Sequence, residues 1–283
     1  MKVVLMVNSG CNARCQHCYI PYTSARSPEN ALNTIAQLQE NGHEVIVAGS
    51  EVLLDERYLA CYEKAGQKYL LTNGIVLGQR PGLFERIRAH GIEELVISLH
   101  FDIDRSLRSV PDRVVKEHVI KAKRKGFRVK VVTIVTPGNC MSIASMCARA
   151  VEMGADTLQF NRFVRMGRGE NRPELGMSAE QIDAFFAQIE EARDRYPRET
   201  LCIRPHGTFG PRAGSKGERL AHENRYCPAG IDLAAVDPDN KVYGCPFSMK
   251  EGAVIGYHEN GKIIIEGELL CGKRNTCIAH ELP

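Results

Sequence analysis

The sequence predicts an α/β protein with parallel strands, on three observations. Apolar runs alternate with helical stretches up to about Phe163. Several of these runs are apolar without polar alternation, as parallel strands covered by helices are. A glycine closes each of five helical stretches: Gly42, Gly66, Gly91, Gly126 and Gly154. Glycine there is a helix stop, because it enters the left-handed region without a Cβ clash. Five helix–glycine–strand repeats argue for a βα barrel or partial barrel. From pattern alone, a Rossmann-type sheet competes with it.

Strands are predicted at residues 3–7, 45–48, 69–72, 95–99, 129–135 and 157–163. Helices are predicted between them at 30–41, 56–65, 83–89, 114–125 and 143–152. A further helix spans 178–195, with Ser178 as N-cap ahead of Gln181. A polar stretch rich in Gly and Pro follows at 205–223 and reads as a linker or active-site loop. The remainder has short strands at 233–236, 241–243 and 262–265, with the turn Asp237-Pro238-Asp239-Asn240. Two regions are expected, 1–204 as the βα unit and 205–283 as a small Cys-rich extension.

Composition excludes several classes. A length of 283 residues suits one large domain, or a large domain plus a small one. A net charge of +3 is too small to argue for nucleic acid. No apolar run approaches the roughly 18 residues of a membrane helix. The chain opens directly on a strand, so no signal peptide is expected. Eleven Cys and eight Met imply a reducing compartment, hence the cytoplasm.

Cys11, Cys15 and Cys18 lie in Cys11-Asn12-Ala13-Arg14-Cys15-Gln16-His17-Cys18-Tyr19, directly after the first strand. Three closely spaced thiols at a strand end present soft ligands at one place. They can hold three irons of a [4Fe–4S] cluster and leave the fourth iron open. An odd Cys count without a secretory signal disfavours disulfides. Zinc favours paired C-x2-C units, and the gap between Cys11 and Cys15 fits that poorly.

C-x3-C-x2-C after a first strand resembles the radical S-adenosylmethionine (SAM) superfamily, whose fold is a partial (β/α)6 barrel. The resemblance implies that the open iron binds the amino and carboxylate groups of SAM. Electron transfer from the cluster then cleaves SAM to a 5′-deoxyadenosyl radical, which takes a substrate hydrogen. His17 occupies an aromatic position that in this family often lies against adenine. Barrel enzymes work at the C-terminal ends of their strands, so those ends hold the remaining candidates.

Ala48-Gly49-Ser50-Glu51 resembles the family's Gly-Gly-Glu, which implies that Glu51 meets the SAM α-amino group; a solvated loop carboxylate is the plain alternative. Thr72-Asn73-Gly74 recurs in the family and reads equally well as a simple left-handed turn. Ser98 resembles a ribose-contacting position. His100, Asp102 and Asp104 then face substrate, unless the two Asp are helix caps. Arg162 or Arg165 is implied for the SAM carboxylate, with an ordinary basic loop as the alternative. Gly167-Arg168-Gly169 lets backbone pass close to a ligand.

Cys227, Cys245, Cys271 and Cys277 fall in a short, turn-rich region that needs a staple. The layout resembles twitch or SPASM extensions, which bind an auxiliary [4Fe–4S] cluster; a zinc knob is the alternative. Cys245 is either a ligand of that cluster or a hydrogen-atom donor. Cys61 and Cys147 sit in helical patterns and read as packed thiols. Overall likeness is to aminoglycoside-tailoring members of the family, which implies epimerisation at one sugar carbon of a polyamine substrate and an electron-donor protein as partner. Asp102, Asp104, Glu170 and Glu223 are the carboxylates available to such a polycation. A dehydrogenase of an aminocyclitol alcohol and a peptide-modifying enzyme are the alternatives.

Overall fold

The computed structural model describes residues 1–102, 107, 110, 112–209, 228–250 and 252–267. Strands and helices alternate from β1 (Lys2–Met6) to β7 (Cys202–Pro205). In order they are β1, α1 (Pro28–Glu40), β2 (Glu44–Ala48), α2 (Leu59–Ala65), β3 (Tyr69–Thr72), α3 (Leu83–Ala89), β4 (Glu94–Ser98), α4 (Asp112–Arg124), β5 (Arg128–Val135), α5 (Ile143–Glu152), β6 (Thr157–Arg162), α6 (Ala179–Arg195) and β7. Four further strands follow: β8 (Leu233–Val236), β9 (Lys241–Tyr243), β10 (Gly256–Glu259) and β11 (Lys262–Ile265).

Five strands run parallel in the order β3-β4-β5-β6-β7, and β2 runs parallel to β1 in a second sheet. Between β2 and β3 the Gln67 side chain replaces a backbone ladder. Val47 N–H donates to Gln67 Oε1 at 2.7 Å, and Gln67 Nε2 donates to the carbonyls of Val47 at 3.2 Å and Tyr69 at 2.9 Å. One buried amide thus satisfies backbone groups that a seam between sheets would leave unpaired.

All five glycines predicted as helix stops have positive φ, between 69° and 79°. α1 begins two residues before its predicted start, because Ser27 caps it and Pro28 supplies the first turn. Ser27 Oγ accepts from Asn30 N–H at 3.1 Å. The predicted 56–65 helix is a 3₁₀ turn over Glu56–Tyr58 followed by α2. Ser178 and Gln181 form the reciprocal capping box at the start of α6. Two strands were not legible in the sequence. β7 is four residues with an Arg and a terminal Pro, and β10 is Gly-Tyr-His-Glu. Neither has the aliphatic run that marks a strand.

β5 shows how the layers are built. Val129, Val131, Thr133 and Val135 are fully buried beneath the helices, while Lys130, Val132 and Ile134 on the other face are half-buried. The main apolar core therefore lies between strands and outer helices. On β1, Val3 and Leu5 join that core, whereas Val4 and Met6 join a separate inner cluster with Val164, Met166, Ala235 and Tyr243.

The C-terminal strands continue the first sheet. β8 pairs parallel with β1 from Lys2↔Leu233 to Leu5↔Val236, and β9, β10 and β11 follow antiparallel. The 204/205 boundary drawn from sequence cuts the last residue off β7. A buried latch ties the added strands to the helical side. Arg26 donates to the Asp237 carbonyl at 2.6 Å and to Asn240 Oδ1 at 2.9 Å. His258 Nδ1 meets the same Asn240 oxygen at 3.1 Å, and its Nε2 accepts from Gly261 N–H at 3.2 Å. Among the described residues, no helix is long and apolar enough to cross a membrane.

Candidate active site

Site residues cluster where the parallel strands end, as the barrel geometry requires. The Cys11–Cys18 loop leaves β1 by way of Asn8, which is buried. Asn8 Oδ1 accepts from Ser50 N–H at 3.0 Å, and Glu51 N–H donates to the Gly10 carbonyl at 2.9 Å. The loops after β1 and β2 are thereby locked together. Gly49 is required at this contact, since a Cβ there would stand 2.4 Å from Asn8 Oδ1.

Glu51 is fully buried, and its carboxylate points into the protein. It accepts from Thr72 Oγ1 at 2.9 and 3.0 Å, from Asn73 N–H at 2.7 Å and from Leu53 N–H at 3.2 Å. Asn73 carries the connection on to the cysteines. Its Nδ2 donates to Asn12 Oδ1 at 2.8 Å and to Cys11 Sγ at 3.6 Å. Thr72-Asn73-Gly74 is therefore both the left-handed turn, with Gly74 at φ 82°, and part of the site.

Cys11 is exposed, while Cys15 and Cys18 are half-buried. Cys11 Sγ accepts a second N–H, from Ala13 at 3.3 Å. Donors aimed at sulfur suit a thiolate ligand, and this is the chemistry a [4Fe–4S] cluster needs from the loop. Among the described residues, no three His, Cys, Asp or Glu side chains are grouped to hold a single metal ion. Cubane ligands bind separate irons and need no such convergence. Burial pushes the Cys11 and Cys18 thiols up, so binding as thiolates depends on the metal. No described cysteine is in a disulfide. Cys61 and Cys147 are fully buried in α2 and α5, and burial pushes both thiols up to about 12, as inert packed thiols require.

The post-β6 run reaches the same loop. Arg168 Nε donates to the Cys15 carbonyl at 2.8 Å, and Gly169 N–H to the Cys18 carbonyl at 3.3 Å. Sequence reading placed Gly167-Arg168-Gly169 beside a ligand; in the structure its backbone lies against the cysteine loop. Arg165 is exposed, and its Nη2 reaches the Glu170 carbonyl at 3.5 Å. Arg162 ends β6 half-buried, with its N–H donating to Thr208 Oγ1 at 3.0 Å. Ser98 ends β4, also half-buried.

His17 is buried edge-on to His100, with ring centroids 4.5 Å apart. His100 Nδ1 accepts from Ile134 N–H at 3.2 Å, so its Nε2 carries the proton when neutral. Asp102 adopts φ 52° and turns to the helical side, where Arg149 Nη2 binds its Oδ2 at 2.5 Å. Its carboxylate is already paired. Glu170 is exposed. Asp104, Glu223, Cys227, Cys271 and Cys277 lie outside the described residues.

Cys245 follows β9 and is buried. It opens a 3₁₀ turn over Pro246–Ser248, where Ser248 N–H donates to the Cys245 carbonyl at 3.1 Å and Cys245 N–H donates to Ser248 Oγ at 3.0 Å. Phe247 from that turn bridges the open side of the barrel. Its ring lies 5.0 Å from that of Tyr19, which follows Cys18, and 5.2 Å from that of His206, just after β7. His206 Nδ1 accepts from Thr208 N–H at 3.1 Å, which places the neutral ring's proton on Nε2. Asn8, His206 and Phe247 were missed as site residues, whereas Asn73 and Arg168 lay in motifs that had been placed at the site with no role given to either side chain. The sequence signal for Asn8 and His206 was position just beyond a strand end, and Phe247 had none.

Three buried groups set opposing pH dependences. Burial raises the Glu51 carboxyl from 4.5 to about 7, against the opposing pull of the three donors it accepts from, Asn73 N–H, Thr72 O–H and Leu53 N–H. Across that window the folded chain holds a proton the unfolded chain has released, so stability falls as pH rises. Burial lowers His206 and His258 from 6.5 to about 4, helped by Lys130 and Arg204 near the first and Arg26 near the second. There the unfolded chain binds the extra protons, so stability rises with pH. Two histidines outweigh one carboxyl up to about pH 7, and above it the three contributions nearly cancel, so together they make stability rise to about pH 7 and then level off. In Glu51→Gln the rise between about pH 4.5 and 6.5 should become about twice as steep, because only the two histidine contributions remain. An amide nitrogen would also face a backbone N–H, costing roughly 1–3 kcal/mol. Urea midpoints measured against pH for both proteins check the two effects.

Comparison with known proteins gives a consistent set of likenesses. The model of the radical SAM superfamily matches residues 5–145. GTP 3′,8-cyclase of Aquifex aeolicus (strain VF5) is 25% identical over 276 residues, covering 88% of this chain and 83% of that protein. Streptococcus suis SuiB bound to S-adenosylmethionine superposes with a TM-score of 0.67 at 13% identity, over 88% of this chain. This chain spans 60% of the length of SuiB. anSMEcpe with bound AdoMet gives a TM-score of 0.65 at 16% identity, covering 91% of this chain and 77% of that one. At such identities the two structures establish likeness of fold.

Proposed function

Residues 5–145 of this chain are a radical SAM superfamily domain, and from that premise we propose that the enzyme inverts one sugar carbon of an aminoglycoside, converting neomycin C to neomycin B. The superfamily implies a [4Fe–4S] cluster and SAM, with Cys11, Cys15 and Cys18 as the cluster ligands. Together these cofactors would supply a 5′-deoxyadenosyl radical that removes a hydrogen atom from the substrate carbon.

The observation that carries the reading is the placement of Cys245. It is buried beside Phe247, whose ring meets Tyr19 one residue past Cys18. A thiol has a weak S–H bond and is a good hydrogen-atom donor. Donation from the face opposite the abstraction breaks S–H, forms C–H and inverts the carbon. The thiyl left on Cys245 then needs one electron and one proton. An electron-donor protein supplies the electron, and solvent the proton. A second [4Fe–4S] cluster held by Cys227, Cys271 and Cys277 is the proposed relay. His17 and Ser98 are proposed for the adenosine, Arg162 or Arg165 for the SAM carboxylate, and Glu51 as organiser of the loop that meets the amino group. His100 and Glu170, with Asp104 and Glu223, are the proposed substrate contacts; Asp102 reaches substrate only by leaving Arg149.

Incubation with neomycin C, SAM and dithionite in deuterium oxide tests this. One deuterium at one inverted carbon, with 5′-deoxyadenosine formed in step, is the expected result. An oxidised product without epimer would favour the dehydrogenase. No 5′-deoxyadenosine with any aminoglycoside would sink the substrate assignment.

A further inference from the structure

We propose that Arg168 is a positioning residue for the cluster, holding the cysteine loop in place and setting the cluster's reduction potential through its charge. The loop after β6 meets the cysteine loop in three consecutive residues. Gly167 is packed so closely that a Cβ would stand 2.7 Å from the carbonyl oxygens of both Cys18 and Ile20. Arg168 Nε donates to the Cys15 carbonyl at 2.8 Å. Gly169 N–H donates to the Cys18 carbonyl at 3.3 Å. The Cys15 carbonyl also accepts from Cys18 N–H at 3.3 Å, so Arg168 grips the turn that spaces the second and third thiols.

This arrangement does two things. The hydrogen bonds fix backbone that has little packing of its own, since Cys11, Asn12, Arg14 and Gln16 are exposed. The guanidinium also places a permanent positive charge at the cysteine turn. A cluster becomes more negative when reduced, so a nearby cation favours the reduced state and raises the potential. Arg168 is exposed, so added salt screens part of this effect. The inference concerns the cluster alone and stands whatever the substrate proves to be.

The test compares Arg168→Gln and Arg168→Lys in the full chain, reconstituted anaerobically. The readouts are the midpoint potential of the electron-spin signal that responds to SAM, and the rate of iron loss to a chelator. For Arg168→Gln the expected result is a more negative midpoint and iron loss several-fold faster. Arg168→Lys should keep the parent's midpoint, and the gap between parent and Gln variant should narrow in high salt. A Gln variant with the parent's midpoint overturns the proposal, even if its iron is lost faster. Should the Gln variant take up no cluster, the Lys variant decides. Uptake with the parent's midpoint supports the role; failure of Lys as well overturns it.

Discussion

Cys245→Ala is expected to stop epimer formation, by at least about a hundredfold, while SAM cleavage continues. A barrier change of roughly 3 kcal/mol is enough for that factor. The reason is chemical. Abstraction depends on the cysteine loop after β1, but hydrogen return depends on a group reaching the other face of the same carbon. Cys245 is buried two residues past β9, and the hydrogen bonds that hold its turn are made by its backbone, with Ser248. Replacing the buried thiol by a methyl leaves those backbone bonds in place and costs roughly 1–2 kcal/mol in lost burial. The fold should therefore survive, and the loss should be catalytic. Cys245→Ser should fail equally, because an O–H bond is too strong to give its hydrogen to a carbon radical. Iron content separates the two roles of this thiol. Loss of product with both clusters present marks a donor; loss of about half the iron marks a ligand of the second cluster.

Gly167→Ala should lower stability by roughly 2–4 kcal/mol and impair cluster uptake, because two independent costs add. Gly167 has φ 58°, a region that a residue with a Cβ enters at a cost of about 1 kcal/mol. The new methyl would also stand 2.7 Å from two carbonyl oxygens, those of Cys18 and Ile20. Those oxygens are backbone, and Cys18 O is already held by Gly169 N–H. The cysteine loop must move to admit the methyl. Urea unfolding of the metal-free protein gives the stability loss, and iron bound after reconstitution gives the effect on the loop. By contrast Gly207 has nothing within 4 Å of its Cβ direction, so Gly207→Ala is the control.

The order of strands and helices was legible because it rests on neighbours along the chain. Helix-stop glycines, the Ser178 cap and the β3, α3 and α5 bounds all follow from local sterics and hydrogen bonding. Errors fell where local signals were thin: the Arg- and Pro-bearing β7, the short β10, and the Ser27-Pro28 start of α1. Site residues divided the same way. The cysteine triplet and Thr72-Asn73-Gly74 stood out as compact motifs. The inward turn of Glu51 was hidden, because the three donors it accepts from are Leu53, Thr72 and Asn73, in a fold that must first close. So was the turn of Asp102 to Arg149, which lies 47 residues away.

By itself the sequence determined the α/β class, the succession of strands and helices up to β6 and the three-thiol loop, each written in spacing over a few residues. Only the tertiary structure decided that β8 lies beside β1, that Gln67 seams β2 to β3, and that Arg168 reaches Cys15 from 153 residues away. It also brought the Cys245 turn against Tyr19. Periodicity reports which face of an element is buried; it carries no information on which strand end will meet which. Those meetings depend on register and on closure of the sheet, which are properties of the whole chain packed at once.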